Sequence, residues 1–278
     1  MKKILTYIAG AKPSYCEDAL YADEHCAFVL DGATGVSGEK VTDAPTDACW
    51  FVRRHRARLI GALGEKGEIV EAVAACAEAV AEEYLHFAGA EKVADKPSAV
   101  LSVVRERDGF LEYYSLGDTV IILRMKDGEV MHILDERLVR LDNENFERMK
   151  KIAAEKGKTV RAAFADIVPY ILENRRKMNT PQGYCALAHT TDGLDTALKG
   201  KIPLAKIRDL LVFSDGFAEI YDLFGLYPTP AALIAEIAEN GIMPAMKRLH
   251  AAQEADPDGE KFVRNKLRDD ISVIYAEI

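Results

Sequence analysis

Two Asp-Gly pairs, Asp108-Gly109 and Asp127-Gly128, each sit between two runs of β-branched and aromatic residues, the strongest short hairpin signal a sequence carries. They predict an antiparallel meander over Ala99 to Leu134, made of Ala99–Arg105, Leu111–Leu116, Val120–Arg124 and Val130–Leu134. A parallel, doubly wound sheet is thereby disfavoured. Ile4–Ala9, Cys26–Leu30, Tyr184–Ala188, Leu210–Phe213 and Ile271–Ala276 are further short apolar runs bounded by turn residues and read as strands. Helical periodicity marks Asp43–Leu63, Glu68–Phe87, Asn143–Lys156, Val160–Lys177, Thr229–Glu239 and Pro244–Gln253. Helices that arrive in pairs between groups of strands predict an α+β fold, a four-layer α/β/β/α sandwich of two antiparallel sheets flanked by helix pairs.

The chain has 278 residues, 49% of them apolar and 29% charged, enough for an ample core. No repeat, low-complexity tract or linker interrupts it, so residues 1–278 are expected to form a single domain. A net charge of -9 argues against a nucleic-acid partner, because backbone-phosphate binding draws on clustered Lys and Arg. The five cysteines (Cys16, Cys26, Cys49, Cys76, Cys185) are scattered, with neither C-x-x-C spacing nor a disulfide pattern, and read as reduced core thiols. The apolar run Ile4 to Ala9 is too short for a signal-peptide core, and no stretch reaches the ~18 apolar residues of a membrane helix. A cytoplasmic location without membrane association is expected.

Acidic residues recur where strands end. Asp31-Gly32 follows Phe28-Val29-Leu30, Gly117-Asp118 follows Ser115-Leu116, and Ser214-Asp215-Gly216 follows Leu211-Val212-Phe213. Glu17-Asp18 and Arg268-Asp269-Asp270 lie beside two more strand candidates. A strand end fixes a carboxylate and an adjacent Gly lets backbone approach closely, an economical way to hold a cation. Taken singly, each is an ordinary turn or a solvated pair.

In their joint order, Glu17-Asp18, Asp31-Gly32-Ala33-Thr34-Gly35, Gly117-Asp118-Thr119, Ser214-Asp215-Gly216 and Asp269-Asp270-Ile271-Ser272, the chain resembles the metal-dependent type 2C (PPM) protein serine/threonine phosphatases, in particular bacterial ones. The resemblance spans nearly the whole sequence. It implies hydrolysis of phosphoserine and phosphothreonine in proteins by metal-activated water, with two, or three, Mn²⁺ or Mg²⁺ ions. Asp31 would bridge two ions, Glu17 and the carbonyl of Gly32 would hold one, and Asp215 and Asp269 the other. Asp118 would hold a weaker third ion shared with Asp215, and Asp18 would partner bound water. The stretch at about 143–178, which carries Lys150-Lys151, Arg161 and Arg175-Arg176-Lys177, falls where family members place a variable flap; it reads as a flap or as a solvated helix pair. The partners implied are a phosphoprotein substrate and the pathway of a cognate Ser/Thr kinase.

The chemistry is consistent with that reading. Carboxylates ~4 Å apart repel by on the order of 4 kcal/mol per pair at an effective dielectric of ~20, so such a cluster needs protons or cations. All-oxygen donors favour hard ions such as Mg²⁺ or Mn²⁺, and two of them can acidify a water and stabilise an in-line displacement. No nucleotide-binding Gly loop occurs, and Asp31 lacks the second Asp of an aspartyl-phosphate D-x-D.

The chain also departs from the family. Pro13 stands where members carry a phosphate-anchoring Arg, and no His follows Asp31-Gly32. Lys12 is either a replacement point charge for the phosphate or an exposed loop lysine. These departures keep open a degenerate, non-catalytic phosphoprotein- or metal-binding member, and a phosphatase of small phosphomonoesters.

Overall fold

The computed structural model describes residues 1–36, 38–65 and 67–278. Its strands are β1 (Lys2–Ala9), β2 (Asp18–Ala22), β3 (Cys26–Ala33), β4 (Ser98–Arg107), β5 (Phe110–Leu116), β6 (Val120–Met125), β7 (Val130–Ile133), β8 (Leu198–Pro203), β9 (Ile207–Phe213) and β10 (Ile271–Glu277). The helices are α1 (Asp47–Ala62), α2 (Ile69–Leu85), α3 (Glu136–Lys156), α4 (Phe164–Arg176), the single turn α5 (Asp215–Ala218), α6 (Pro230–Asn240) and α7 (Ile242–Ala255).

The strands form two five-stranded antiparallel sheets, ordered β1-β10-β9-β6-β7 and β2-β3-β4-β5-β8. Period-two alternation builds the layers. On β3, Phe28 and Leu30 pack outward against Phe51, Leu59, Val80 and Tyr84 of α1 and α2. Ala27 and Val29 pack inward with Ile121, Val212 and Ile274 of the opposite sheet. On β10, Val273 and Tyr275 meet Leu233, Ile237 and Leu249 of α6 and α7, while Ile274 and Ala276 face the other sheet. The α+β four-layer architecture is therefore as the periodicities predict. Each fully buried Val, Leu or Phe contributes ~1.5–3 kcal/mol, and such residues fill the inter-sheet layer and both sheet–helix layers. No helix among the described residues is long and apolar enough to cross a membrane.

The hairpin signal is correct locally and the single meander is not. Asp108 and Gly109 both adopt left-handed backbone, φ 50 and 82, as a two-residue hairpin requires, and β4 pairs with β5. β6 pairs with β7 in the other sheet. The Gly117-Asp118-Thr119 turn between them carries the chain from one sheet to the other. Buried hydroxyls pin that crossing: Thr119 Oγ1 donates to Ser102 Oγ at 2.9 Å, and Ser102 Oγ donates to the Thr119 carbonyl at 3.2 Å.

Two strands escaped the sequence reading. β2 is five residues beginning with an aspartate, and β8 is an exposed edge strand carrying Lys199, Gly200, Lys201 and Pro203, the composition that keeps edges from pairing with other chains. Conversely, Tyr184–Ala188 is not a strand. It makes one bridge, Ala99 with Leu187, and the Asn179 side chain takes both backbone groups of Ala186, at 2.9 and 3.0 Å. Helix α3 starts at Glu136, before the expected Asn143, because Asp135 caps it by accepting from the Arg137 amide at 3.1 Å.

His55 is fully buried on α1, with Nδ1 3.0 Å from the Phe51 carbonyl and Nε2 without a partner among the described residues. Burial holds its pKa down at about 4, against ~6.5 in the unfolded chain. The unfolded state therefore binds the extra proton between these values, so the stability this group contributes is present above pH ~6.5 and is lost as pH falls toward 4. Unfolding free energy measured by urea at pH 7 and pH 5 should show a wild-type loss of ~2 kcal/mol from this residue. The gap between wild type and His55→Gln should shrink by that amount; an unchanged gap would rule the effect out.

Candidate active site

Asp31 continues the inward face of β3 set by Ala27 and Val29, so its carboxylate emerges where the inter-sheet layer ends. Cross-strand register places Asp18 of β2 directly opposite it, a like-charge pairing that costs stability unless compensated. Asp18 is buried and neither of its oxygens has a hydrogen-bond partner among the described residues. An unpartnered buried carboxylate is expensive, which points to a group that is bound in the working protein.

Glu17 is held from three sides. Its amide donates to Asp270 Oδ2 at 2.8 Å, its carbonyl accepts from the Gly32 amide at 3.1 Å, and its Oε1 accepts from Thr34 Oγ1 at 2.6 Å. Close backbone approach explains Gly32: a Cβ there would lie 2.5 Å from the Glu17 carbonyl oxygen and 2.7 Å from Val52 Cγ1. Asp215 opens α5 directly after β9, and Asp269 precedes β10. These two strand ends are tied by Ser214 N to Ser272 O at 3.0 Å and Ser272 N to Ser214 Oγ at 2.9 Å. Asp118 sits at the crossing between the sheets.

A cavity of about 320 Å³ gathers Glu17, Asp31, Gly32, Asp118, Asp215 and Asp269, together with Asp142 of α3, Arg175 of α4 and Lys266. Six carboxylates against two cationic side chains leave a formal -4, the charge two divalent ions would neutralise. The carboxylates carry the signature of crowding. Burial, reinforced by Asp215, Asp18 and Asp118, holds Asp31 well above the usual carboxylate range, and burial with Asp215 and Asp142 does the same for Asp118. Asp215 is pushed up to about 6 and Asp142 to about 7, by burial first and acidic neighbours second. Burial works against the Lys266 ammonium, but Asp269, whose Oδ1 it meets at 2.7 Å, outweighs it and raises its pKa. Among the described residues no three such side chains converge into a closed ligand cage. An all-oxygen, strongly anionic donor set fits hard divalent cations.

Of the residues singled out from sequence, Glu17, Asp31, Gly32, Asp118, Asp215 and Asp269 line this one cavity, and Asp18 lies behind it. Lys12 does not line it: its ammonium donates to the Tyr15 hydroxyl at 2.5 Å and stands 5.0 Å over that ring. Sequence reasoning missed Asp142 and Lys266, and noted Asp270 in a motif without giving it a role. Arg175, which the sequence places on a flap or on a solvated helix pair, has its side chain 11% exposed, on the cavity wall, and paired with Asp95 at 2.5 Å.

Two facing antiparallel sheets with flanking helix pairs and a carboxylate-lined cavity at the strand ends define the architecture of the metal-dependent phosphatases. Residues 11–259 match the family model described as Protein phosphatase 2C, and the chain belongs to that family. A search of curated proteins gave no match. Among solved structures, the serine/threonine phosphatase PstP/Ppp of Mycobacterium tuberculosis is 16% identical, with 99% of this chain and 98% of that one covered and a TM-score of 0.56. The catalytic domain of PstP in complex with 2 manganese ions, again 16% identical over 99% and 97% of the two chains, gives 0.51. The PPM phosphatase MsPP of Mycobacterium smegmatis in complex with cacodylate, 16% identical over 99% and 98%, also gives 0.51.

Proposed function

We propose that this protein hydrolyses phosphoserine and phosphothreonine in proteins and does so with two divalent cations, Mn²⁺ or Mg²⁺. The observation that carries the reading is the convergence of Glu17, Asp31, Asp118, Asp215 and Asp269, from separate strand ends, on one cavity. Asp31 would be shared by the two ions, with Glu17 and the Gly32 carbonyl on one and Asp215 and Asp269 on the other. Asp118 and Asp215, which also wall an adjoining cavity of about 250 Å³ with Asp142, Glu219 and Asp222, would hold a third, weaker ion. When bound, the ions supply an acidified water and stabilise charge on the phosphoryl oxygens.

The chain's own residues do the rest. Thr34 fixes the Glu17 carboxylate, the paired strands hold Asp18 behind Asp31, and Phe164 and Ile171 of α4 give the cavity an apolar cover that limits water. The whole chain would act as one type 2C domain in the cytoplasm, with the helical segment at 143–178 as its flap and kinase-phosphorylated proteins as substrates. No histidine lines the cavity among the described residues, so the leaving alkoxide would take its proton from water.

Pro13 in the place of the family's Arg favours one competing reading, a member that binds phosphoprotein or metal without turnover. Phosphate release from an aryl phosphate and from a phosphothreonine peptide, each with and without Mn²⁺ or Mg²⁺, separates the two. The expected result is release that requires added ion and returns to background with chelator; turnover in metal-free protein would sink the mechanism, and none under any condition would favour the binding reading. A strong preference for the aryl ester would instead mark a small-molecule phosphatase.

A further inference from the structure

We infer that Arg175, at the last turn of α4, is the group that receives the substrate's phosphate, a role that rests on the phosphatase reading above. Two cationic side chains line the cavity among the described residues, and Lys266 is engaged by Asp269 at 2.7 Å. Lys12 is turned onto Tyr15. Arg175 differs from both in having its position fixed and donors to spare. Its Nε donates to Asp95 Oδ1 at 2.5 Å and its Nη2 to the Lys96 carbonyl at 3.1 Å. A guanidinium carries five N–H donors, so three remain without a partner among the described residues.

The anchor is coupled to the acidic cluster. The other oxygen of Asp95 accepts from the Val36 amide at 2.7 Å, in the turn that leaves β3 just after Asp31 and Gly32. Asp95 thus holds the guanidinium in register with the strand end that presents Asp31. With its side chain only 11% exposed, most of the rotamer freedom that ligand binding would remove is already gone. A planar fork with one edge tied down and the other open can engage two oxygens of a phosphate. The site therefore takes a phosphate monoester dianion from α4, where the family's N-terminal position holds Pro13.

The test is calorimetric titration of inorganic phosphate into the full-length protein preloaded with Mn²⁺. Arg175→Met should weaken phosphate binding by roughly 10- to 100-fold, the size of a lost charged hydrogen bond, with Mn²⁺ affinity within about twofold of wild type. Arg175→Lys should recover part of the loss, because charge survives without the fork. Asp95→Asn takes the charge out of the same tie but keeps the guanidinium, and should cost phosphate binding clearly less than Arg175→Met does. Phosphate affinity unchanged in Arg175→Met overturns the assignment, and so does an Asp95→Asn loss equal to that of Arg175→Met, which would make Arg175 a staple. Wild type that binds no Mn²⁺ would instead sink the metal reading, and the same comparison in metal-free protein then decides Arg175.

Discussion

Asp31→Asn is expected to cut kcat by ~10³ or more, about 4 kcal/mol of barrier, while leaving the metal-free protein at least as stable as wild type. The two halves of that expectation have one cause. Asp31 stands opposite Asp18 across the β2–β3 pair, and desolvation, reinforced by Asp215, Asp18 and Asp118, holds its pKa well above the usual range. Asn keeps the volume and removes one charge from a cluster whose members repel, so the apo melting temperature should hold or rise. The same change removes the carboxylate proposed to be common to both ions. A ligand at 100 times its Kd stabilises by about 2.7 kcal/mol, and the Mn²⁺-induced rise in melting temperature expected of wild type should nearly vanish in the variant. Wild-type turnover at saturating Mn²⁺ would show that Asp31 is not the shared ligand. An apo protein destabilised by several degrees would show that the carboxylate is structural.

That the cluster was legible at all reflects how it is built. Asp31, Asp118 and Asp215 each come at the end of an apolar strand, so the pattern of a buried run followed by Asp beside Gly is written locally there. Asp142, Arg175 and Lys266 come from helix and loop positions whose local sequence resembles any solvated face. Arg175-Arg176-Lys177 reads as a surface patch, and what distinguishes Arg175 is a partner, Asp95, 80 residues away in sequence. The sheets were legible for the same reason in reverse. Two-residue turn chemistry and period-two burial are local, whereas the transfer of the chain between sheets at Gly117-Asp118-Thr119 depends on packing that no window contains. Lys12 adjoins Pro13 in sequence, but the loop folds its ammonium onto Tyr15.

Asp270 looked from sequence like half of an acidic doublet, and its replacement is expected to have the second large effect. It is 7% exposed, and its two oxygens accept from separate points of the N-terminal loop, the Ala11 amide at 2.6 Å and the Glu17 amide at 2.8 Å. One side chain on the leading end of β10 therefore clamps the segment that delivers Glu17 to the cavity. Asp270→Ala removes both acceptors and leaves two amides unsatisfied; charged hydrogen bonds of this kind are worth ~1.5–3 kcal/mol each. Allowing for water reaching one amide, the net loss should be ~3 kcal/mol, a fall in melting temperature of ~6–12 °C for a chain of this size. Mn²⁺ affinity should drop by roughly 10-fold or more as well, since Glu17 loses its placement. Glu17→Gln provides the contrast: it should weaken Mn²⁺ binding with little change in the apo melting temperature, because the clamp on its backbone survives. Melting of Asp270→Ala at the wild-type temperature would dismiss the clamp. A large thermal loss with Mn²⁺ affinity intact would mean that the loop holds Glu17 in place without it, through Thr34 on its carboxylate and Gly32 on its carbonyl.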